Sequence, residues 1–305
     1  MARFLLKRLV HGLIVLWVVA TLTFVLLRVM PGGPFDREQR LPPEVMANIA
    51  AKYHLDEPWL KQYGRYVNGI LHGDLGPSYK YLDRNVSDII TDTFPTSALL
   101  GLLALSFALI FSLPLGLCAA SYHNSWTDRG CVFLATLGIS LPHFILGALL
   151  IWLFSLHLGW FQAARWGQPT NAVLPMVTLG AAPFAYLSYL IRSSLLETLG
   201  EDFIRTARAK GLNEVVVLLK HALRNSLIPV LTVLGPLFAA LVTGSFVVEY
   251  VFAIPGMGRF FITAVTDRDY PLIMGVTLVY TALLVCANPL VDLLYSFVDP
   301  RLQSH

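Results

Sequence analysis

Charge is scarce in this sequence. Of its 305 residues only 13% are Asp, Glu, Lys or Arg, against about 25% in soluble domains. With 56% of the chain hydrophobic, the class is an integral membrane protein. The net charge of +3 is too small to point to a nucleic-acid partner. Cysteine is sparse too: Cys118, Cys131 and Cys286 fall in or beside apolar runs, with neither metal-ligand spacing nor a disulfide pattern, and read as packing residues. There is no GxxxxGK[ST] phosphate loop, so the chain is not expected to bind ATP by that route. HExxH, CxxC and GxSxG are lacking as well, and the eight histidines are scattered. No catalytic residue, metal or cofactor is therefore expected. Thr243-Gly244-Ser245 reads as small residues that let helices approach closely. The GxG at Gly256 and Gly258 follows no βαβ pattern and is not a nucleotide fingerprint.

Long apolar runs, by contrast, are abundant. A spanning helix needs about 20 apolar residues. Six stretches qualify: 9–30, 95–120, 131–156, 172–191, 227–252 and 271–297. The first is longer than the apolar core of a signal peptide, about 7–15 residues, and reads as a retained anchor. Arg3, Lys7 and Arg8 precede it, and the positive-inside rule places both termini and the 197–229 stretch in the cytoplasm. The opposite short loops hold only Arg165, Arg259 and Arg268. The expected fold is all-α, with six transmembrane helices and a small helical subdomain at 31–94 on the outer face. The domains are then 1–30, 31–94 and a 95–305 core.

Within 31–94, Val45, Ile49 and Tyr53 share one helical face after Pro43. A second helix starts near Pro58 and stops before Gly73, and a third is capped by Asn85 or Ser87. This subdomain either shields a pore or docks an external partner. A short helix at 257–265 is expected at the outer mouth. His11, Arg28, His143, Glu249, Asn288 and Asp292 sit in apolar company. Since a charge at mid-bilayer costs about 2.5–3.5 kcal/mol, interfacial or packing roles are expected for them. Arg28 can snorkel from the outer end of its span. Prolines 114, 142, 175, 183, 236 and 289 kink or start helices, which implies a packed bundle.

The 197–229 stretch is too charged to cross a bilayer. It opens acidic (Glu201, Asp202), turns basic (Arg205, Arg208, Lys210) and breaks at Gly211, and a second short helix starts at Asn213. Acids at the start and bases at the end suit a helix dipole. Glu201 and Arg205 form an i,i+4 pair, and Gly211 offers a left-handed position after the helix. Phe203, Ile204 and Ala207 make an apolar face. Either this face docks a cytoplasmic partner, or it packs on neighbouring loops while the bases bind membrane lipids. Two function classes remain at this point. One is a pore-forming subunit driven by a separate motor. The other is a secondary transporter, which usually shows internal repeats and midplane binding residues. No convincing repeat is visible.

At DFIRTARAKGLNEVVVLLKHALRNSLIPVL the chain resembles the cytoplasmic signature loop of ABC importer membrane permeases of the peptide-transporter family, the oligopeptide and dipeptide permeases. The general form is Glu-Ala-Ala, three residues, Gly, nine residues, Ile-x-Leu-Pro. Ala207, Gly211 and Leu223 fit it. Arg205, His221 and Arg224 depart from it in the manner of the peptide subfamily. FLLKRLV, PGGPF, HGDLGPSYKY, VVEYVFAIPGMG and RDYPL extend the resemblance over nearly the whole chain.

The resemblance implies a permease in the bacterial inner membrane, pairing with a homologous second permease subunit. It further implies two cytoplasmic ABC ATPase subunits below and a periplasmic peptide-binding protein outside. Oligopeptides are the implied substrate, with dipeptides, murein peptides or nickel as alternatives. From another class, a secondary transporter or a membrane scaffold remains. The implied ATPase-coupling residues are Glu201, Asp202, Phe203, Arg205, Thr206, Ala207, Arg208, Lys210 and Gly211, with 213–225 linking back to the fifth span. His143, Tyr186 and Asn288 are substrate-pathway candidates by position alone.

Overall fold

The structure is a computed structural model that describes residues 2–31, 33–35 and 51–298, with side chains described from residue 7 to 287 within those ranges. The expected helix around Val45 and Ile49 lies outside the described residues, as do the side chains of Asn288 and Asp292. In chain order the helices are α1 (Ala2–Val29), α2 (Trp59–Leu71), α3 (Val86–Ser121) and α4 (Trp126–Ser140). Then come α5 (His143–Leu150, prolonged as a π-helix over Ile151–His157) and α6 (Val173–Leu199, entered through the 3-10 turn Pro169–Ala172). They are followed by α7 (Asp202–Ala209), α8 (Glu214–Ser226, with a π-helical middle at Val217–Ala222) and α9 (Ile228–Val242). The last are α10 (Phe246–Val251), α11 (Met257–Asp267) and α12 (Tyr270–Val298). Among the described residues the architecture is all-helical. Among the described residues, four helices are long and apolar enough to cross a membrane: α1, α3, α6 and α12. Two bent pairs, α4 with α5 and α8 with α9, raise the number to six if each pair is one span.

Three expectations about these elements need correction. The expected third outer helix is the first turns of α3, which runs unbroken for 36 residues. Ser87 extends it outward by donating to the Gly73 carbonyl at 3.1 Å. The expected third span is two helices at 109° to one another. Leu141 precedes a proline, is pushed out of the helical region to φ −90°, ψ 121°, and turns the chain before α5 begins. The fifth span stops at Val242 instead of running to Phe252. Gly244 takes φ +86°, where a side chain is strained, and Ser245 Oγ then caps α10 by accepting from the Val248 N–H at 3.3 Å. The Thr243-Gly244-Ser245 run thus ends a helix, and a Cβ at Gly244 would also meet Ser97 Cβ at 3.1 Å. Glu249, expected in an interfacial or packing role, is fully buried.

The chain forms two compact units: Met1–Thr96 with Pro255–Cys286, and Ser97–Ile254 with Ala287–His305. In the first, α2 lies on the end of α1. Tyr63 shares a 2.7 Å hydrogen bond with Thr21 and packs edge-on against Phe24 at 5.2 Å. Tyr66 stacks on the same ring at 6.0 Å. Arg28 donates through Nε and Nη2 to Gln62 Oε1, at 3.1 and 2.7 Å. Asp269, fully buried ahead of α12, accepts from Ser78 Oγ, from the N–H groups of Tyr79 (3.1 Å) and Lys80 (3.3 Å), and from the Leu272 N–H (3.3 Å). One carboxylate therefore fixes the 78–80 loop to the junction of α11 and α12.

The second unit is built around α6, whose Leu187, Ile191 and Leu195 are buried. Helices approach it through small residues. A Cβ at Gly138 of α4 would sit 2.6 Å from the Ala181 carbonyl oxygen, and one at Gly180 of α6 would sit 2.8 Å from that of Ala104 on α3. In lipid, where apolar burial gives helices little reason to associate, such close backbone contact supplies the packing.

Candidate functional site

The charged loop between α6 and α9 begins where Glu201 turns the chain to φ −71°, ψ 152°. The extended residue ends α6's course and starts α7. Asp202 lies in the first turn of α7 and Arg208 in the last, each favourable to the helix dipole. Arg205 pairs with Asp202 at 3.3 Å and not with Glu201 as expected. Glu201 is the extended cap residue and lies off the helical face that Arg205 shares. Gly211 adopts φ +75°. Its N–H donates to Arg208 O at 2.9 Å and the Leu212 N–H to Ala207 O at 3.4 Å, closing the end of α7. A Cβ at 211 would meet nothing within 4 Å, so backbone preference alone calls for glycine there. Asn213 Oδ1 caps α8 by accepting from the Val215 N–H at 2.9 Å. Arg208 joins the two helices through Glu214, at 3.1 and 2.5 Å. The Glu214 carboxylate raises the Arg208 pKa above its ordinary value, and the guanidinium stays charged.

The apolar face of α7 points inward. Ile204 (0% exposed) and Ala207 (6%) pack in one cluster with Ala120, Leu195, Val217 and Ala222. Of the two readings of this face, packing within the chain is the one seen for Ile204 and Ala207: the chain itself covers them, and they position the helix. Exposed on α7 and its ends are Glu201, Asp202, Phe203, Arg205, Thr206, Arg208, Ala209, Lys210 and Gly211. Phe203 is an aromatic ring 41% exposed on a charged surface. Beside it opens a cleft of about 310 Å³ lined by Glu197, Glu201, Phe203, Asn225, Ile228 and Pro229. It lies where α6 ends and α9 starts.

Sequence reasoning missed a charge pair in this unit. Asp128 at the start of α4 accepts from Arg192 Nε at 2.7 Å and Nη2 at 2.8 Å, in a bidentate geometry. The Asn124 N–H donates to it at 2.9 Å and His123 Nδ1 lies 3.3 Å away. The available signal was position: Asp128 lies just before one apolar run and Arg192 just after another. The pair ties α4 to α6 seven residues before Leu199, where α6 ends.

Of the pathway candidates, His143 is the half-buried first residue of α5 and Tyr186 is 45% exposed on α6. Asn288 lies on α12, its side chain outside the described residues. Neither His143 nor Tyr186 forms a side-chain hydrogen bond or ring contact among the described residues. Among the described residues no group of three His, Cys, Asp or Glu side chains is placed to hold a metal ion.

Long apolar helices joined by a charged helical loop define a polytopic membrane protein. The chain belongs to the family of binding-protein-dependent transport system inner membrane components, which matches residues 112–304; the family's N-terminal membrane component matches 1–101. Among its relatives, the dipeptide transport system permease protein DppB of Bacillus subtilis is 46% identical over 305 residues, covering 100% of this chain and 99% of that one. The oligopeptide transport system permease protein OppB of Haemophilus influenzae is 42% identical, covering 99% of this chain and 100% of that one. OppB of Escherichia coli K12 is 40% identical with the same coverage. Two solved structures share the fold. An amino acid ABC transporter with histidines has a TM-score of 0.55 at 16% identity, covering 68% of this chain and 93% of that one. The MetNI methionine ABC transporter has 0.52 at 20%, covering 67% and 95%. The chain is a permease subunit of the inner membrane.

Proposed function

We propose that this subunit lines the pore of an ABC importer that carries oligopeptides into the cytoplasm, energised by ATP hydrolysis on separate subunits. The observation that carries this reading is identity of 40–46% over the full chain to permeases named for dipeptides and oligopeptides. In this reading six spans place both termini in the cytoplasm, α4–α5 and α8–α9 each counting as one. Residues 31–94 then form a periplasmic subdomain facing a peptide-binding protein, and 95–305 the permease core. A second, homologous permease completes the pore. Two ATPase subunits dock from below.

α7 is the contact for an ATPase subunit. Phe203 enters an apolar notch on the partner, while Glu201, Asp202, Arg205, Thr206, Arg208 and Lys210 surround it with charge and hydrogen-bonding groups. Ala207 and Gly211 act indirectly, one by seating the helix and the other by ending it. Displacement of α7 by the closing ATPases pulls on α6 at one end and, through α8, on α9 at the other, which swings the pore between its two openings. A dipeptide cargo is the second reading, because the Bacillus subtilis relative is a dipeptide permease.

The test is reconstitution of this chain with its partner subunits in proteoliposomes, measuring ATP-dependent uptake of labelled di-, tri- and pentapeptides. Saturable uptake of tri- and pentapeptides that needs ATP and the binding protein is expected. Uptake of dipeptides alone selects the second reading. Uptake driven by an ion gradient without the ATPases contradicts both.

A further inference from the structure

Two adjoining clefts in the first unit share Arg28 and Gln62 as a common wall. One, of about 230 Å³, is cationic and phenolic: Arg28, Lys52, Arg65, Tyr66 and Tyr79 line it, with Asp74 the one carboxylate among the described lining residues. The other, of about 480 Å³, carries Leu27, Met30, Leu55 and Trp59 opposite the polar wall of Arg28 and Gln62. Arg65 is held by Glu57 at 3.0 Å. Arg28 and Lys52 form no ion pair among the described residues. Arg28 is instead fixed by Gln62 and by the Phe24 ring, whose centroid lies 3.5 Å from its Cζ. Burial pushes the Tyr66 and Tyr79 phenols up to about 12, and both stay neutral hydrogen-bond donors. The Tyr66 hydroxyl is buried with no hydrogen-bond partner among the described residues.

Depth places this wall at the edge of the bilayer. The spanning part of α1 is Lys7–Val29, 23 residues. At about 1.5 Å per residue it covers about 34 Å, slightly more than a hydrocarbon core of about 30 Å. Arg28 in its last turn therefore lies in the headgroup layer. A guanidinium and an ammonium beside phenols, joined to a cleft with an apolar wall at that depth, match an amphiphile with an anionic head. We propose that these clefts hold one phospholipid, its phosphate between Arg28 and Lys52 and an acyl chain against Leu27, Met30 and Trp59. The bound lipid fixes α2 on the end of α1, because Gln62 of α2 borders both clefts. A peptide carboxylate fits the cationic cleft but gives no use for the apolar wall of the other, and membrane depth favours the lipid.

The test uses the full chain with its partner subunits, purified in detergent and stripped of lipid. Thermal unfolding is followed against dihexanoyl phosphatidylglycerol, dihexanoylglycerol without phosphate, inorganic phosphate and a tripeptide. The phospholipid is expected to raise the midpoint saturably, at concentrations at least about tenfold below those needed for the other three probes. Lys52 is exposed, so Lys52→Gln should leave the unliganded midpoint unchanged and weaken the phospholipid about tenfold. Trp59 is 56% exposed, and Trp59→Ala should weaken the phospholipid without changing the response to inorganic phosphate. Arg28→Gln should abolish the shift; if it does not fold, the other two variants decide. The proposal is overturned if dihexanoylglycerol matches the phospholipid, if the tripeptide acts at lower concentration, or if Lys52→Gln keeps wild-type affinity.

Discussion

Replacing Asp128 with Asn removes one charge from the pair that ties α4 to α6, and the cost can be worked from its surroundings. Asp128 is 4% exposed and accepts two hydrogen bonds from Arg192 at 2.7 and 2.8 Å. Removing one partner from a fully buried pair costs about 3–5 kcal/mol, because the other charge is left uncompensated. The Arg192 side chain is 23% exposed, so water takes back part of that penalty, and about 2–3 kcal/mol is expected. Arg192→Lys keeps the charge and loses the two-pronged geometry, for about 1 kcal/mol. The double variant Asp128→Asn/Arg192→Gln leaves no stranded charge and should be more stable than the sum of the single losses predicts, by about 1–2 kcal/mol. Unfolding of the purified subunit in mixed micelles, followed by tryptophan fluorescence, is measured for the wild type, Asp128→Asn, Arg192→Gln and their double variant, which close the cycle, and for Arg192→Lys. A loss under about 0.5 kcal/mol for Asp128→Asn, or strict additivity in the cycle, would refute the assignment of a buried, coupled pair.

Further outcomes follow from the same geometry. Gly211→Ala places a side chain in free space but at φ +75°, which costs about 1–2 kcal/mol. The end of α7 should fray, seen as faster proteolysis at Lys210, with global unfolding little changed. Asp269→Ala strands Ser78 Oγ and the N–H groups of Tyr79, Lys80 and Leu272. At about 1–3 kcal/mol for a stranded group, a loss of about 3 kcal/mol or more is expected, with protease access to Lys80 before the rest of the chain opens. Asp269→Asn keeps an acceptor oxygen and should lose less.

Much of this architecture is legible in the sequence because the bilayer demands long apolar runs. α12 coincides with such a run to within a residue at each end, while α1 starts at Ala2, ahead of its run, and α6 continues beyond its run to Leu199. Local signals also read through: Gly211 ends α7, Asn213 caps α8, and α2 lies between Pro58 and Gly73. What stayed hidden depends on direction or on distant partners. Leu141-Pro142 has apolar sequence on both sides, and composition cannot say that the two halves diverge by 109°. Ile204 and Ala207 make an amphipathic face, but the pattern cannot say whether its partner is another protein or, as here, Leu195, Val217 and Ala222 of the same chain. Asp128 and Arg192 are 64 residues apart, and Ser78 and Asp269 are 191 apart. Nothing in VLLKHA announces a π-helix. The sequence grouped the nine proposed coupling residues on one short helix and its ends; it could not tell the exposed Phe203 from the buried Ala207.

The central claim is that α7 delivers ATPase motion to a peptide pore. It is tested most directly by the ratio of peptide imported to ATP hydrolysed in proteoliposomes holding the complete complex, for the wild type and for Phe203→Ala. Phe203 is 41% exposed and lies outside the cluster that seats α7, so the subunit should fold and assemble. Loss of a ring that anchors an interface typically costs about 2 kcal/mol or more. The account predicts a ratio lowered about tenfold or more, with weaker retention of the ATPase subunits and hydrolysis no longer stimulated by the binding protein. A wild-type ratio with Phe203→Ala, together with full ATPase retention, would contradict it.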